Sequence, residues 1–407
     1  MNKIFLRCLF AGSLIFTLDS RAIEDKKFSI ENMEYLGAFK FSNKEFGQSS
    51  MNFASGKMAL SEDGKSMFVV GHAQQMMIGE FKIPPLIKSN QLSEIAQVDE
   101  FKQGFVDVLG KLKKENTQKI SGIHGLLEYQ NKLIVNGARY YDASATTKHT
   151  SFVVEDADNL ESSAVHGFYS LEGGAHASGW ISPIPTGLTD KLGGTHIAGF
   201  ASNIPINSRL SIGPSAFSFN LIDLLKSEPG TVKTNGLLDF SLDHPLSNDA
   251  YNKTKTNFLW VELSAAIYGF IVPNTSTYAV FGKSGGHKSG IGYKITQDDG
   301  QLCPGPCAKE ANDNVNYYWL FDVNELINVK QGNEPPYLPR PYEYGIFYSS
   351  FENNFDMKTP NSKLISGATF DFNNNILYLM VGGVKRSTRY ENTPIVLAYK
   401  IKSFLPD

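Results

Sequence analysis

Residues Ser55 to His72 read SGKMALSEDGKSMFVVGH, and this stretch decides the fold. A Ser-Gly pair opens a short apolar run, the polar turn Glu62-Asp63-Gly64 follows, and a second apolar run completes the stretch. Two apolar runs around a short Gly-containing turn are typical of a β-hairpin. The stretch therefore predicts two antiparallel strands, the first of which begins beside a small residue.

The same pattern recurs along the chain. Clear copies begin at Ser121 (SGIHGLLEYQNKLIVNGA) and at Ser366 (SGATFDFNNNILYLMVGG), and looser copies run from Ile197 to Phe219 and from Ala265 to Gly286. Repeated hairpin units are the signature of a β-propeller, whose blades typically span ~40–50 residues. Because the copies are spaced more widely than that, we predict an all-β propeller of five to seven blades. A two-sheet sandwich is the alternative fold.

The two ends of the chain are predicted to meet in one blade. Glu34 to Phe41 and Pro394 to Ile401 both read as strands, and their pairing would close the ring and remove its free edges. Helix is expected to be minor, with candidates at Leu92 to Lys114 and Ser218 to Ser227.

Composition excludes some classes of function. The formal net charge is −3, and acidic and basic residues are mixed throughout, so we expect no nucleic acid partner.

The first residues of the chain read as a signal peptide. They carry Lys3 and Arg7, then a short apolar run, and small residues before a cut after Ala22. This pattern predicts a signal peptide over 1–22, one propeller domain over 23–407, and a secreted or periplasmic monomer with no membrane span.

Cys303 and Cys307 stand close together in LCPGPC. In an exported protein such a pair favours a disulfide. The alternative is a structural metal site that His287 completes, since thiolates and imidazole are zinc ligands, although a fourth ligand is missing.

Candidate site residues cluster near the second repeat. His124 follows Ser121-Gly122, and Arg139 and Tyr141 continue the apolar face of the next strand by its two-residue period. His149 follows after a loop. Taken singly, each residue is more often structural, but a buried charge is costly without a partner or ligand, so the cluster indicates a site.

A second group lies further along the chain. Arg209 precedes a tight turn, and its guanidinium suits a carboxylate or sulfate. Trp180 and His196 could line the same channel mouth and contact substrate, and Tyr251 could stack on a sugar, although Trp in β folds is commonly core. Local signatures of hydrolases and nucleotide loops are absent.

Several motifs resemble the propeller-type ulvan lyases, a family of polysaccharide lyases. These are YYDA followed by KH, SGWISPIP, INSRLSIGPSAF and FDVNEL, over about the central half of the chain. The resemblance implies a seven-bladed propeller with a structural zinc. It matches His124 and His149 to the family's two histidines, Arg209 to its arginine and Tyr251 to a tyrosine. The family's tyrosine shortly before the arginine has no counterpart here.

The resemblance also implies a reaction, β-elimination of an acidic, uronate-containing polysaccharide such as ulvan. Arg209 would neutralise the carboxylate, His124 or His149 would remove the neighbouring proton, and Tyr141 or Tyr251 would protonate the leaving oxygen. No cofactor is expected for the chemistry. Two alternatives stay open: a non-catalytic propeller that binds a glycan or protein, and a glycoside hydrolase marked by two facing carboxylates.

Overall fold

The computed structural model describes residues 26–142, 146–202, 211–226, 228–349, 351, 364–385 and 390–402, with backbone alone for 202 and 383–385. Their strands form five main sheets, each with four or five strands. The strands of blade 1, from the inside outward, are Met58–Leu60, Ser66–Val70, Ile78–Lys82 and Gln103–Val106. Those of blade 2 are Gly122–Tyr129, Lys132–Ala138, His149–Val154, Val165–Leu171 and Thr231–Val232. Those of blade 3 are Trp180–Pro183, His196–Gly199, Ala216–Phe219 and Asn235–Leu238.

Blades 4 and 5 complete the ring. The strands of blade 4 are Ala265–Ile271, Thr277–Gly285, Asn314–Asp322 and Glu343–Ile346, and the short strand Ala201–Ser202 pairs with the other edge of Ala265–Ile271. Those of blade 5 are Ile365–Asp371, Ile376–Lys385, Thr393–Ile401, Met33–Phe41 and Ala96–Val98. Two small hairpins lie outside the blades, and they pair Glu45–Phe46 with Ser49–Ser50 and Ile291–Tyr293 with Pro306–Ala308. The described chain is thus an all-β propeller with five blades, at the lower end of the predicted range and two fewer than the resemblance implies.

The ring closes as predicted. Met33–Phe41 lies antiparallel to Thr393–Ile401, with Phe39 opposite Val396. The inner strands of successive blades also contact one another around the whole ring, including blade 5 against blade 1. The predicted signal peptide over 1–22 lies outside the described residues.

The core lies between the blades rather than at the axis. Blades 1 and 2 bury Phe68 and Ile78 against Ile123 and Leu133, and comparable clusters fill the other interfaces. Such layers follow from strands whose two faces are both covered, which is why the strands read as nearly continuous apolar runs.

Helices are short. The 3₁₀ turns are Ile30–Asn32, Gly110–Leu112, Gly174–Ala177, Thr186–Leu188 and Leu221–Leu225, and the α-helices are Thr189–Leu192 and Val323–Lys330. The helix predicted over Leu92 to Lys114 is wrong, because that segment supplies outer strands to blades 5 and 1, and strand pairing overrides its local helical pattern. In the described part of the chain, no helix has the length and apolar character that crossing a membrane requires.

Candidate functional site

The five inner strands begin on the same face of the ring, which we call the upper face. Four of them carry a Ser-Gly pair at or just before their first residues: Ser55-Gly56, Ser121-Gly122, Ser178-Gly179 and Ser366-Gly367. A Cβ on Gly367 would lie 1.6 Å from the carbonyl oxygen of Gly56, and a Cβ on Gly125 would lie 2.0 Å from that of Gly179. The inner strands therefore need glycine to approach one another around the axis.

The repeat also corrects one detail of the sequence analysis. The third inner strand begins at Trp180, whereas the looser copy that starts at Ile197 supplies the second strand of blade 3.

A narrow pocket lies at the axis. Its lining includes Lys57, His124, Trp180, Tyr268 and Ala368, so every blade contributes. The cavity volume is about 10 Å³, which is the space of about one water molecule. The pocket can therefore receive an acidic substituent of a ligand at its mouth but cannot enclose a sugar ring.

Lys57 lies at this pocket, just before the first strand of blade 1. Its ammonium donates to the carbonyl oxygens of Ser366 at 2.7 Å and Ser55 at 3.3 Å. Burial, together with the charge of Lys283, lowers the pKa of Lys57 to about 7. Lys283, on the second strand of blade 4, has its own pKa lowered by burial. Two lysines thus share one poorly solvated region of the axis.

His124 is the second basic group that lines the pocket. It lies in an irregularity of the blade 2 ladder, between the pairs Ile123–Gly137 and Gly125–Asn136, and its ring packs on Phe200 at 4.9 Å. Burial, and then the charge of Lys57, lowers the pKa of His124 to about 3. The imidazole is therefore uncharged at ordinary pH. We had predicted a histidine whose pKa lies near 7, so this part of the prediction is wrong.

Within the described ranges, no carboxylate forms an ion pair with Lys57, Lys283 or His124. Basic groups held in a poorly solvated site without an acidic partner destabilise the fold. Clusters of perturbed titratable groups of this kind are typical of functional sites. We call Lys57, Lys283 and His124 the axial basic cluster.

His149 and Tyr141 lie on the upper face but away from His124. His149 begins the third strand of blade 2, two strand spacings or roughly 10 Å from the inner strand, and its side chain is exposed. Tyr141 is 63% exposed. The strand before it ends at Ala138, so the predicted continuation of the strand face through Arg139 and Tyr141 is wrong.

Arg139 organises a loop. Its Nη2 donates to Asp142 Oδ1 at 2.6 Å and to the hydroxyl of Thr146 at 3.3 Å. Burial raises the pKa of Asp142, but hydrogen bonds from Thr147 and Thr146 outweigh this effect and lower the pKa to about 2. Arg139 thus pairs with a buried carboxylate, and its predicted contact with substrate stays a prediction.

Trp180 and His196 are both buried, and their predicted role as substrate contacts stays a prediction. Trp180 is 2% exposed and donates its indole N–H to the Tyr278 hydroxyl at 3.1 Å. His196 pairs with Pro183 at the lower end of the blade 3 inner strand, opposite the mouth. Burial lowers the pKa of His196 to about 4.

Arg209 lies outside the described residues. Tyr251 lies in the upper-face loop before the inner strand of blade 4, where its carbonyl oxygen accepts from the amide of Ile291. Its predicted catalytic role therefore stays a prediction, as does that of Arg209.

Cys303 and Cys307 form a disulfide, the first of the two predicted alternatives. Neither sulfur is then a thiolate that could bind zinc. Both nitrogens of His287 are also engaged, Nδ1 with the carbonyl oxygen of Asn257 and Nε2 with the hydroxyl of Ser284. Among the described residues, no group of His, Cys, Asp or Glu is arranged to hold a metal.

The sequence analysis missed Lys57 and Lys283. Aligning the Ser-Gly repeats would have found Lys57, because it follows Gly56 as Trp180 follows Gly179, at the start of an inner strand. Lys283 carries no such signal, since its place on the second strand of blade 4 becomes axial only through the packing of the ring.

Comparisons with known proteins show no family for the chain. No protein family model matches the chain, and no curated protein matches it. Among solved structures, the chain is similar to the crystal structure of the Cps50 (Swd1) β-propeller domain from Myceliophteria thermophila, with 6% sequence identity and a TM-score of 0.27. The alignment covers 85% of this chain and 83% of that chain. A similarity at that level says nothing about function, and the strand pairing itself establishes the propeller.

Proposed function

We propose that the protein is an exported polysaccharide lyase that binds a uronate-containing polymer on the upper face and cleaves it by β-elimination. The observation that carries this proposal is the axial basic cluster, whose described surroundings supply no acidic partner. An anionic group of a ligand would supply the missing partner. The Cys303–Cys307 disulfide supports export, because disulfides persist in oxidising compartments.

The size of the pocket suggests how a uronate would bind. The carboxylate would enter the mouth and face Lys57 and Lys283, while the sugar ring stayed above it. Cations beside the carboxylate stabilise the charge that develops there when the neighbouring carbon loses its proton. This gives Lys283 the role that the sequence analysis gave to Arg209 and leaves Lys57 for proton transfer.

The proposed reaction balances without a cofactor. A base removes the proton from C5, the electrons of that bond form the C4–C5 double bond, and the C4–oxygen bond breaks. The leaving oxygen takes a proton from a donor. Tyr141 and His149, both on the upper face, are the candidates for that donor.

Lys57 is the stronger candidate for the base. General bases work best when their pKa lies near the working pH, and the pKa of Lys57 is about 7, whereas that of His124 is about 3. Lys57 is therefore neutral in a large fraction of molecules at neutral pH. His124 would orient the substrate as a neutral hydrogen-bonding group.

A specific observation favours a second candidate, a non-catalytic propeller that binds acidic glycans. The pocket is narrow, and the exposed His149 and Tyr141 do not meet His124. The same basic cluster would then bind the carboxylate without any proton transfer.

Ultraviolet absorbance of unsaturated uronate distinguishes the two candidates. Purified protein is incubated with ulvan, alginate, pectate and glycosaminoglycans, and the Lys57→Ala variant is run beside it. A rise in absorbance that the variant abolishes supports the lyase. Saturable binding without a rise supports the second candidate, and neither binding nor product on any polymer overturns both.

A further inference from the structure

Strongly exposed aromatic side chains are concentrated on the upper face. In the described part of the chain there are seven, and six of them lie in loops on that face: Tyr140, Tyr141, Phe258, Tyr293, Tyr348 and Tyr390. The seventh, Tyr344, lies in the outermost strand of blade 4. Exposed apolar groups gathered in one region mark an interaction surface. We call these six residues the aromatic rim.

The rim has members on both sides of the axis. Tyr140 lies in the loop between the second and third strands of blade 2, and Tyr348 lies in the segment that enters blade 5. Tyr293 belongs to the disulfide-bearing hairpin inserted in blade 4. Around a ring of five, blade 2 faces blades 4 and 5 across the channel, so the axial basic cluster lies between the two parts of the rim.

A ligand that contacts both parts must pass over the axis. The pocket admits no sugar ring, so it cannot seat the end of a chain. Tyrosine combines an apolar ring face with a polar hydroxyl and so suits the equally amphipathic face of a sugar. Positive charge at the centre, with tyrosines outward, is complementary to an extended polymer that carries acid groups.

We propose that the upper face holds an acidic polysaccharide as an extended chain, with one acid group at the axial basic cluster and sugar units stacked on the aromatic rim on both sides. The protein then engages the interior of the polymer and not its ends. This inference rests on the proposed function, since it specifies the same ligand class, and it applies whether or not the bound chain is cleaved.

Binding measurements on each polymer of the panel, and on the disaccharide prepared from it, test the proposal. We expect the polymer to bind at least roughly a hundredfold more tightly than the disaccharide, because several stacking contacts act together. Tyr140→Ala and Tyr348→Ala should each weaken polymer binding about tenfold and leave disaccharide binding unchanged. Tyr344→Ala is the matched control, an exposed tyrosine off the upper face, and should change neither.

The failures are distinguishable. Equal affinity for polymer and disaccharide would overturn the extended-chain proposal, and so would rim variants that bind like the Tyr344→Ala control. Either result leaves the proposed function standing if Lys57→Ala still abolishes binding. The absence of binding to every polymer by the unmodified protein would overturn the proposed function and this inference together.

Discussion

Replacing Lys57 with Met should stabilise the protein near neutral pH. The substitution keeps the length of the side chain and removes a charge that burial and Lys283 disfavour. The pKa of Lys57 falls from 10.5 to about 7, and each pKa unit corresponds to about 1.4 kcal/mol, so the charge costs at most about 5 kcal/mol of folding free energy. The carbonyl oxygens of Ser55 and Ser366 lose their donor, which offsets about 1 kcal/mol each. With some solvation through the mouth, we expect a net gain of about 2 kcal/mol.

The gain should depend on pH with a definite sign. The pKa of Lys57 is lower in the folded protein than in the unfolded chain, so between about pH 7 and 10.5 the unfolded chain binds the additional proton. The destabilising effect of Lys57 is therefore complete below about pH 7 and fades as the pH approaches 10.5. Lys57→Met should show its full advantage near pH 6.5, and little or none of it near pH 9.5, only about one unit below the unfolded pKa of 10.5.

Urea unfolding followed by tryptophan fluorescence measures this difference, since Trp180, Trp260 and Trp319 are all buried. Lys65→Met is the matched control, because the Lys65 side chain is 82% exposed and its substitution should change stability by less than about 0.5 kcal/mol. The reasoning is refuted if Lys57→Met is less stable than the unmodified protein near pH 6.5. It is equally refuted if the difference between the two proteins does not shrink near pH 9.5.

Three further predictions concern the scaffold around the site. Gly367→Ala should destabilise the fold by more than about 3 kcal/mol, because the new Cβ would lie 1.6 Å from a backbone carbonyl oxygen of the next blade. Gly230→Ala is the control, since a Cβ there would have no atom within 4 Å, and it should be nearly neutral. Thermal melts of both variants measure the difference. Asp142→Ala should cost about 2 kcal/mol of folding free energy near pH 7, because the pKa of Asp142 is lowered to about 2. This contribution is fully present above pH 3.8 and is lost as the pH falls towards 2. Equal stabilities of the variant and the unmodified protein in urea at pH 7 would count against this prediction. Replacing Cys303 and Cys307 together by Ser should cost at most about 2 kcal/mol, because the disulfide closes a very short loop, and a larger loss of urea stability would show that the hairpin supports the ring.

The hairpins and the closure of the ring could be predicted from local patterns. Gln130 and Asn131 both adopt positive φ in the turn of the second repeat, the backbone that such a tight hairpin turn requires, and the terminal strands pair as their apolar runs indicate. The helix predicted at Leu92 to Lys114 is wrong for a physical reason that concerns its apolar residues. In the structure they lie in short strands whose partners are distant in sequence, so no local pattern distinguishes the two.

The site was only partly predictable for a related reason. His124 was found because an imidazole stands out in an apolar strand, and it does line the axial pocket. Arg139 stands out in the same way, yet a carboxylate three residues later neutralises it. Which lone polar residue is paired and which faces the axis depends on the packing of blades, and that information is not contained in strand periodicity.

Carboxyl reduction of the bound polymer tests the central claim most directly, because it removes the acid group and keeps the sugar chain. Affinity of the protein is measured by calorimetry for an acidic polymer and for its carboxyl-reduced form, and again with the variant in which Lys57 and Lys283 are both Met. We predict that reduction of the polymer or substitution of the lysines lowers affinity by at least roughly a hundredfold, and that the two changes together add little. Equal binding of the native and reduced polymers, or undiminished binding of the native polymer by the double variant, would contradict an anionic glycan site at the axis.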